Sequence, residues 1–435
     1  MMTTRIPDQG SVVLSGAAVL PHCRELQLNS AIAVINGVIE ACGNAPHIRA
    51  RFSGIPERHL ENCVLMPGFV NAHTHLELSF LAGKIPGPAS FPDWVLQLTA
   101  AYPDAARAND IFAASALFGS RESMRFGVTT VGDISRQHAI VRPALQTGSA
   151  LNVVSFGEVT ALGRSRGELS ARLAAAMEGK SSAHLSIGLS PHAPYSVEGP
   201  ALETIAAMAR SHHMPLSMHL AELREERDFL RDLSGPLGRN WTLMQRLNLL
   251  DDFIPLFAAG PIRWAQHYGL FNAGVPVVLA HVNYAVDAEL DILKSTGAAV
   301  AYCPRTRHYF GHDAIAPHPW QAMRKRGIRV CLATDSMASN PDLSLLREAQ
   351  FVLRQCPSME PQDLIEMITS EPAAALGRQS HIGRLAPGFT ADIIAMPVAK
   401  EAMASAASVC DYLVRTAPLP QNVWIRGCPV LPKNG

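Results

Sequence analysis

Apolar runs of six to nine residues recur through the middle of the chain, near 66–73, 128–134, 151–159, 184–191, 215–220, 276–282, 298–303 and 329–334. Continuous runs of that length, rather than alternating ones, predict strands covered on both faces, as in a parallel sheet. Between them a helical rhythm predicts helices over 105–125, 167–178, 198–211, 285–296 and 341–355. Eight such βα units over about 300 residues fit a (β/α)₈ TIM barrel better than an open dinucleotide-binding sheet. The first unit also lacks a GxGxxG turn, the main signature of the open-sheet alternative.

The two ends of the chain read differently. Residues 11–20 and 30–42 predict short strands, the second broken by an Asn36-Gly37 turn, and 391–398 and 423–430 predict more. Neither end holds enough apolar residues for a core of its own. Pairing them into one small β-sandwich brings the termini together. The expected organisation is a sandwich half over residues 1–65, a catalytic barrel over 66–375 and the second sandwich half over 376–435.

Composition narrows the setting. A chain of 435 residues with 48% hydrophobic content is long enough for one large core and a smaller domain. Lys+Arg and Asp+Glu balance at 37 each, so neither nucleic acid nor an anionic membrane is an expected partner. The eight cysteines show no CxxC spacing, which favours a reducing compartment over a disulfide framework. The start, MMTTRIPDQG, has no basic-then-apolar signal pattern, and a cytoplasmic location is expected.

The chemistry lies where apolar strands end. His73 and His75 close the first run as HTH, and residues i and i+2 of a strand share a face. His192 ends the fourth run, His219 and Glu222 the fifth, His281 the sixth and Asp335 the eighth. A barrel gathers the C-terminal ends of its strands at one mouth. His73, His75, His219 and Asp335 then form a nitrogen-rich site for one divalent ion, Zn²⁺ first and Fe²⁺ second. Lysines occur only at 84, 180, 294, 325, 400 and 433. None ends the fourth strand, where a bridging carbamylated lysine would serve a two-metal site, so a mononuclear centre is favoured. Glu222 is the expected acid–base residue. His281 is expected to steer the nucleophile or stabilise developing oxygen charge, and Asp335 to help deprotonate water.

PGFVNAHTHLELS, GVTTVGD, SPHAPYS, MHLAE, LAHVNY, Cys303-Pro304, LATDS and the terminal IGRLAPGFTADIIA occur in that order over nearly the whole chain. Together they resemble the amidohydrolase superfamily, in its cytosine-deaminase-like branch related to adenosine and triazine deaminases. The resemblance implies a metal-containing TIM barrel with a composite β-sandwich. It also implies His73, His75, His219 and Asp335 as metal ligands, Glu222 as proton shuttle, and His281 against the attacking water. His192 matches a position that meets the substrate. The implied reaction is attack of activated water on an amino-bearing ring carbon, with release of ammonia.

The seventh-strand segment CPRTRHYFGH departs from the family's usual Ser-Asn pair by carrying Thr306-Arg307. Arg305 and Arg307 are therefore expected to contact a carboxylate or other polar substituent. SFGEVTALG at 155–163, with HLELS and FPDWV, is similar to the aminodeoxyfutalosine deaminases of menaquinone synthesis. That places Glu158, Trp94 and Phe310 among expected substrate contacts, with aromatic faces for a base. The expected partner is a small heterocycle, with a homodimer left open. Hydrolysis of a substituted triazine or a cyclic amide is the nearest alternative, and a non-enzymatic barrel binding protein the third.

Overall fold

The structure, a computed structural model, describes residues 10–87 and 90–430. Five strands precede the barrel: β1 (Val12–His22), β2 (Glu25–Leu28), β3 (Ser30–Ile35), β4 (Val38–Asn44) and β5 (Glu57–Pro67). The barrel strands are β6 (Phe69–Thr74), β7 (Val128–Ser135), β8 (Asn152–Val159), β9 (Leu185–Pro191), β10 (Leu216–Leu220), β11 (Val277–His281), β12 (Ala299–Tyr302) and β13 (Val330–Leu332). Three more, β14 (Ile393–Pro397), β15 (Asn422–Ile425) and β16 (Cys428–Pro429), end the described chain.

Strands β6 to β13 pair in chain order, every neighbour parallel. A parallel bridge between Thr74 and Asp335 joins the two ends of this sheet. The Asp335 N–H donates to the His73 carbonyl at 3.2 Å, and Asn71 Nδ2 donates to Thr334 Oγ1 at 2.7 Å. The eight apolar runs are thus a (β/α)₈ barrel. Its closing seam sets the HTH strand beside Asp335, residues far apart in sequence.

Helices Ala108–Arg125, Leu169–Met177, Gly199–Ser211, Asp287–Thr296 and Leu345–Gln355 lie where the periodicity expects them. Other helices fall outside that reading, two of them long. His138–Gly148 carries Pro143 in its interior, which blurs the pattern. Ala406–Thr416 follows an alanine-rich segment, buries the stripe Ala406, Val409, Cys410, Leu413 and Val414, and starts at a serine N-cap (Ser405, accepting from the Ser408 N–H).

The terminal strands build one mixed sheet in the order β16-β15-β14-β5-β1-β3-β4, with β2 on the side of β1. Asn36 and Gly37, both at positive φ, make the turn from β3 to β4. Strand β5 is the hub, parallel to β1 and antiparallel to β14. Charged residues in its first half, Glu57, Arg58 and Glu61, hide it from an apolar scan. Through Gly68, β5 runs straight into β6. The Gly68 N–H donates to the Asp392 carbonyl at 2.9 Å, and a Cβ there would meet the Thr129 side chain at 2.2 Å. The mixed sheet therefore anchors the strand that carries His73 and His75. Among the described residues no helix is long and apolar enough to cross a membrane.

Candidate metal centre

Six polar residues from four different strand ends meet at the barrel mouth. His75 Nε2 lies 3.2 Å from His219 Nε2 and 3.4 Å from Asp335 Oδ1, and His73 Nε2 lies 3.7 Å from the same carboxylate oxygen. Donor atoms of His73, His219 and His281, and separately of His73, His75 and Asp335, all fall within 4.8 Å of one another. Among the described residues, both ring nitrogens of the fully buried His73 lack a hydrogen-bond partner. Leaving buried polar atoms unmatched is costly unless something takes them up. A divalent ion fits: the donors are nitrogen-rich with one carboxylate. Burial pushes His73, His75 and His281 well below the ordinary imidazole value, and His219 down to about 4. The imidazoles are thus neutral, the form that ligates.

Outer contacts orient these groups. His219 Nδ1 faces the His192 carbonyl at 3.1 Å, so Nδ1 carries the proton and Nε2 points its lone pair inward. Ser339 Oγ donates to Asp335 Oδ2 at 3.2 Å. His318 accepts the Trp320 N–H on Nδ1 at 2.9 Å, which leaves Nε2–H to donate to the His281 carbonyl at 2.8 Å. The backbone is strained at the same place: Ala221, His281, Val282 and Asp335 all have φ between 51° and 69°. Non-glycine residues hold such angles only where surrounding contacts enforce them, and they concentrate at functional sites.

Glu222 is buried, with Oε1 3.5 Å from His281 Nε2. Burial, then Asp335 and Glu226, raises its carboxyl well above the usual range. Its backbone is held by Glu226, a residue within a run of charges. Glu226 is 0% exposed, and its carboxylate accepts the N–H groups of Ala221, Glu222 and Leu223 at 2.9, 2.7 and 3.0 Å. Asn283 Nδ2 donates to the Glu222 carbonyl at 3.0 Å. The spacing from Glu222 to Glu226 was the available signal, since a carboxylate a turn ahead can cap preceding amides. Glu226→Gln is expected to lower kcat about 10- to 100-fold with metal content unchanged, the usual cost of losing an orienting partner. Metal analysis beside initial rates checks it.

On the substrate side, His192 lies 5.1 Å from His219 between ring centroids, and Tyr195 stands edge-on to it at 5.7 Å. Trp94 and Phe310 are brought together at 5.2 Å, and Phe91 links both to Tyr195. Glu158 ends β8 half-buried, its carboxyl raised by burial against the opposing charge of Arg136.

Arg305 and Arg307 are placed otherwise than expected. Residues Pro304–Tyr309 form a short helix, and the protein's own carboxylates engage both guanidiniums. Arg305 Nε donates to Glu348 at 2.6 Å and its terminal nitrogen to Asp342 at 2.8 Å. Arg307 pairs with Asp313 and donates to the carbonyls of His312 and Ala316. Neither keeps two parallel donors free for an anion. Glu348 is fully buried, so Arg305→Met leaves a carboxylate without its counter-charge. The expected loss is about 3–5 kcal/mol in chemical unfolding. Unchanged stability with selective loss of acidic substrates would restore the anion role.

The pattern of the amidohydrolase family matches residues 64–416. The chain belongs to the amidohydrolase family. This amidohydrolase is a metal-dependent hydrolase, and its buried histidine–aspartate cluster fits a single ion. It is 29% identical over 404 residues to a 5-methylthioadenosine/S-adenosylhomocysteine deaminase of Symbiobacterium thermophilum, covering 88% of this chain and 84% of that one. It is 26% identical over 370 residues to an aminodeoxyfutalosine deaminase of Deinococcus radiodurans, covering 82% of each. Its fold superposes on an adenosine deaminase from Xanthomonas campestris with bound zinc at TM-score 0.80 and 21% identity, over 97% of this chain and 92% of the other.

Proposed function

We propose that this amidohydrolase deaminates a 6-aminopurine nucleoside by hydrolysis, with one zinc ion held by His73, His75, His219 and Asp335. Iron(II) is the second candidate for the same donor set. The observation that carries the reading is the convergence of neutral imidazoles, one carboxylate and a separate buried glutamic acid at a single mouth. When bound, the ion lowers the pKa of water and supplies a nucleophile at neutral pH.

The chain's own groups do the rest. Glu222 and Asp335 share removal of the water proton as oxygen adds to the amino-bearing ring carbon. Glu222 returns that proton to the neighbouring ring nitrogen and then carries the remaining hydroxyl proton of the adduct to the amine, which leaves as ammonia as the C–N bond breaks and the ring carbonyl forms. His281, 3.5 Å from Glu222, steadies the oxygen where charge develops. The products are a ring carbonyl and ammonia. His192 and the Trp94–Phe310 pair are assigned to the purine and its sugar, with Glu158 on the strand next to that of His192.

Both deaminase relatives are named for adenine nucleosides altered at the 5′ end, which supports a nucleoside over a free base. Aminodeoxyfutalosine, with its benzoate, is the substrate we place first. The test is a screen of adenosine, methylthioadenosine, S-adenosylhomocysteine, aminodeoxyfutalosine and an aminotriazine on zinc-loaded protein. Ammonia with an ultraviolet shift from a nucleoside is expected. Turnover of the triazine alone contradicts the proposal and favours the triazine-hydrolase alternative.

A further inference from the structure

With Arg305 and Arg307 committed to intrachain carboxylates, the cation for an acidic substrate must come from elsewhere on the mouth. β7 ends at Ser135, and Arg136 is the next residue, on the rim shared with His75, Glu158, His192 and His219. Its backbone is held from below. The buried Glu77 carboxylate accepts Ser135 Oγ at 2.9 Å, the Arg136 N–H at 3.2 Å and the Gln137 N–H at 2.8 Å. Glu77 lies two residues beyond His75, so this clamp ties the base of Arg136 to the metal-centre strand.

The guanidinium itself is exposed and has no hydrogen bond or ion pair among the described residues. In the register of β7 and β8, Ser135 pairs with Gly157, so Arg136 and Glu158 follow side by side on neighbouring strand ends. Yet among the described residues the guanidinium makes no ion pair with Glu158, and the Glu158 carboxylate makes no hydrogen bond, although the Glu158 backbone pairs with β9. An unpaired cation and an unpaired carboxylate thus stand on adjacent strand ends at one rim. Together they offer a nucleoside an acceptor for its hydroxyls and a cation for an acid. Arginine presents a planar fork matched to a carboxylate.

We propose that Arg136 is the specificity-determining residue of this site, binding a carboxylate carried on the 5′ substituent of the nucleoside. The inference rests on the deaminase reading and sharpens it to acid-bearing substrates. Because Arg136 lies on the rim, away from the reacting carbon, it contributes to binding equally in ground and transition state, which appears in KM and not in kcat.

The test compares 5′-(carboxyethylthio)-5′-deoxyadenosine with its methyl ester in wild type, Arg136→Met and Arg136→Lys, read by ammonia release. Wild type is expected to favour the acid. R136M is expected to raise KM for the acid about tenfold, the scale of one charge-assisted hydrogen-bonded contact, with kcat and the ester little changed. R136K recovers part of the preference. Equal rates for acid and ester in wild type, or an acid preference that survives in R136M, overturns the role of Arg136 while leaving deamination intact. No ammonia from either compound with metal-loaded wild type overturns both readings.

Discussion

Glu222→Gln is expected to retain the metal and lose turnover by about 10²- to 10⁴-fold, the range for removing a general acid–base group. Glutamine preserves the shape and a carbonyl oxygen but cannot accept and return a proton. The backbone that positions the residue is untouched, because Glu226 and Asn283 hold the main chain and not the side chain. KM is therefore expected to stay within a few-fold, with the loss in kcat. Full activity with normal zinc content removes Glu222 from the proton path. A fall accompanied by loss of metal assigns it to metal retention instead.

His73→Ala is expected to abolish both metal binding and measurable turnover. His73 is fully buried, neither of its nitrogens has a hydrogen-bond partner among the described residues, and it belongs to both triads of converging donor atoms. A ligand set that exists only in the folded chain couples ion binding to stability. Zinc at about 1,000 times its Kd is expected to stabilise wild type by about 4 kcal/mol, and H73A by almost nothing. Thermal unfolding with and without zinc reads this directly. A zinc-dependent shift of equal size in H73A would place the ion elsewhere.

The parts of this fold that a sequence exposes are those with strong local demands. The eight barrel strands show as unbroken apolar runs because both of their faces are covered. The mouth residues show because a histidine ending an apolar strand has few structural reasons to be there. What stayed hidden depends on tertiary partners. Strand β5 reads as charged over its first half, where β1 pairs with it, and β14 joins only along Cys63–Pro67. Glu226 sits in a run of charges, Glu222, Arg224, Glu225, Glu226 and Arg227, and only the turn it caps explains its burial. Arg305 and Arg307 looked available because their partners, Asp342, Glu348 and Asp313, lie six to forty-three residues away. Arg136 gave no signal at all. Its interest comes from the carboxylate clamp beneath it and from the lack of a partner for its guanidinium.

The central claim is that one metal ion in this cluster drives hydrolytic removal of an amino group. The most direct measurement is titration of metal-free protein with zinc, following bound metal and ammonia release from the best substrate together. Activity is expected to rise in proportion to bound zinc and to level off at one ion per chain. Activity that needs two ions per chain, or that is undiminished without any ion, would contradict the account.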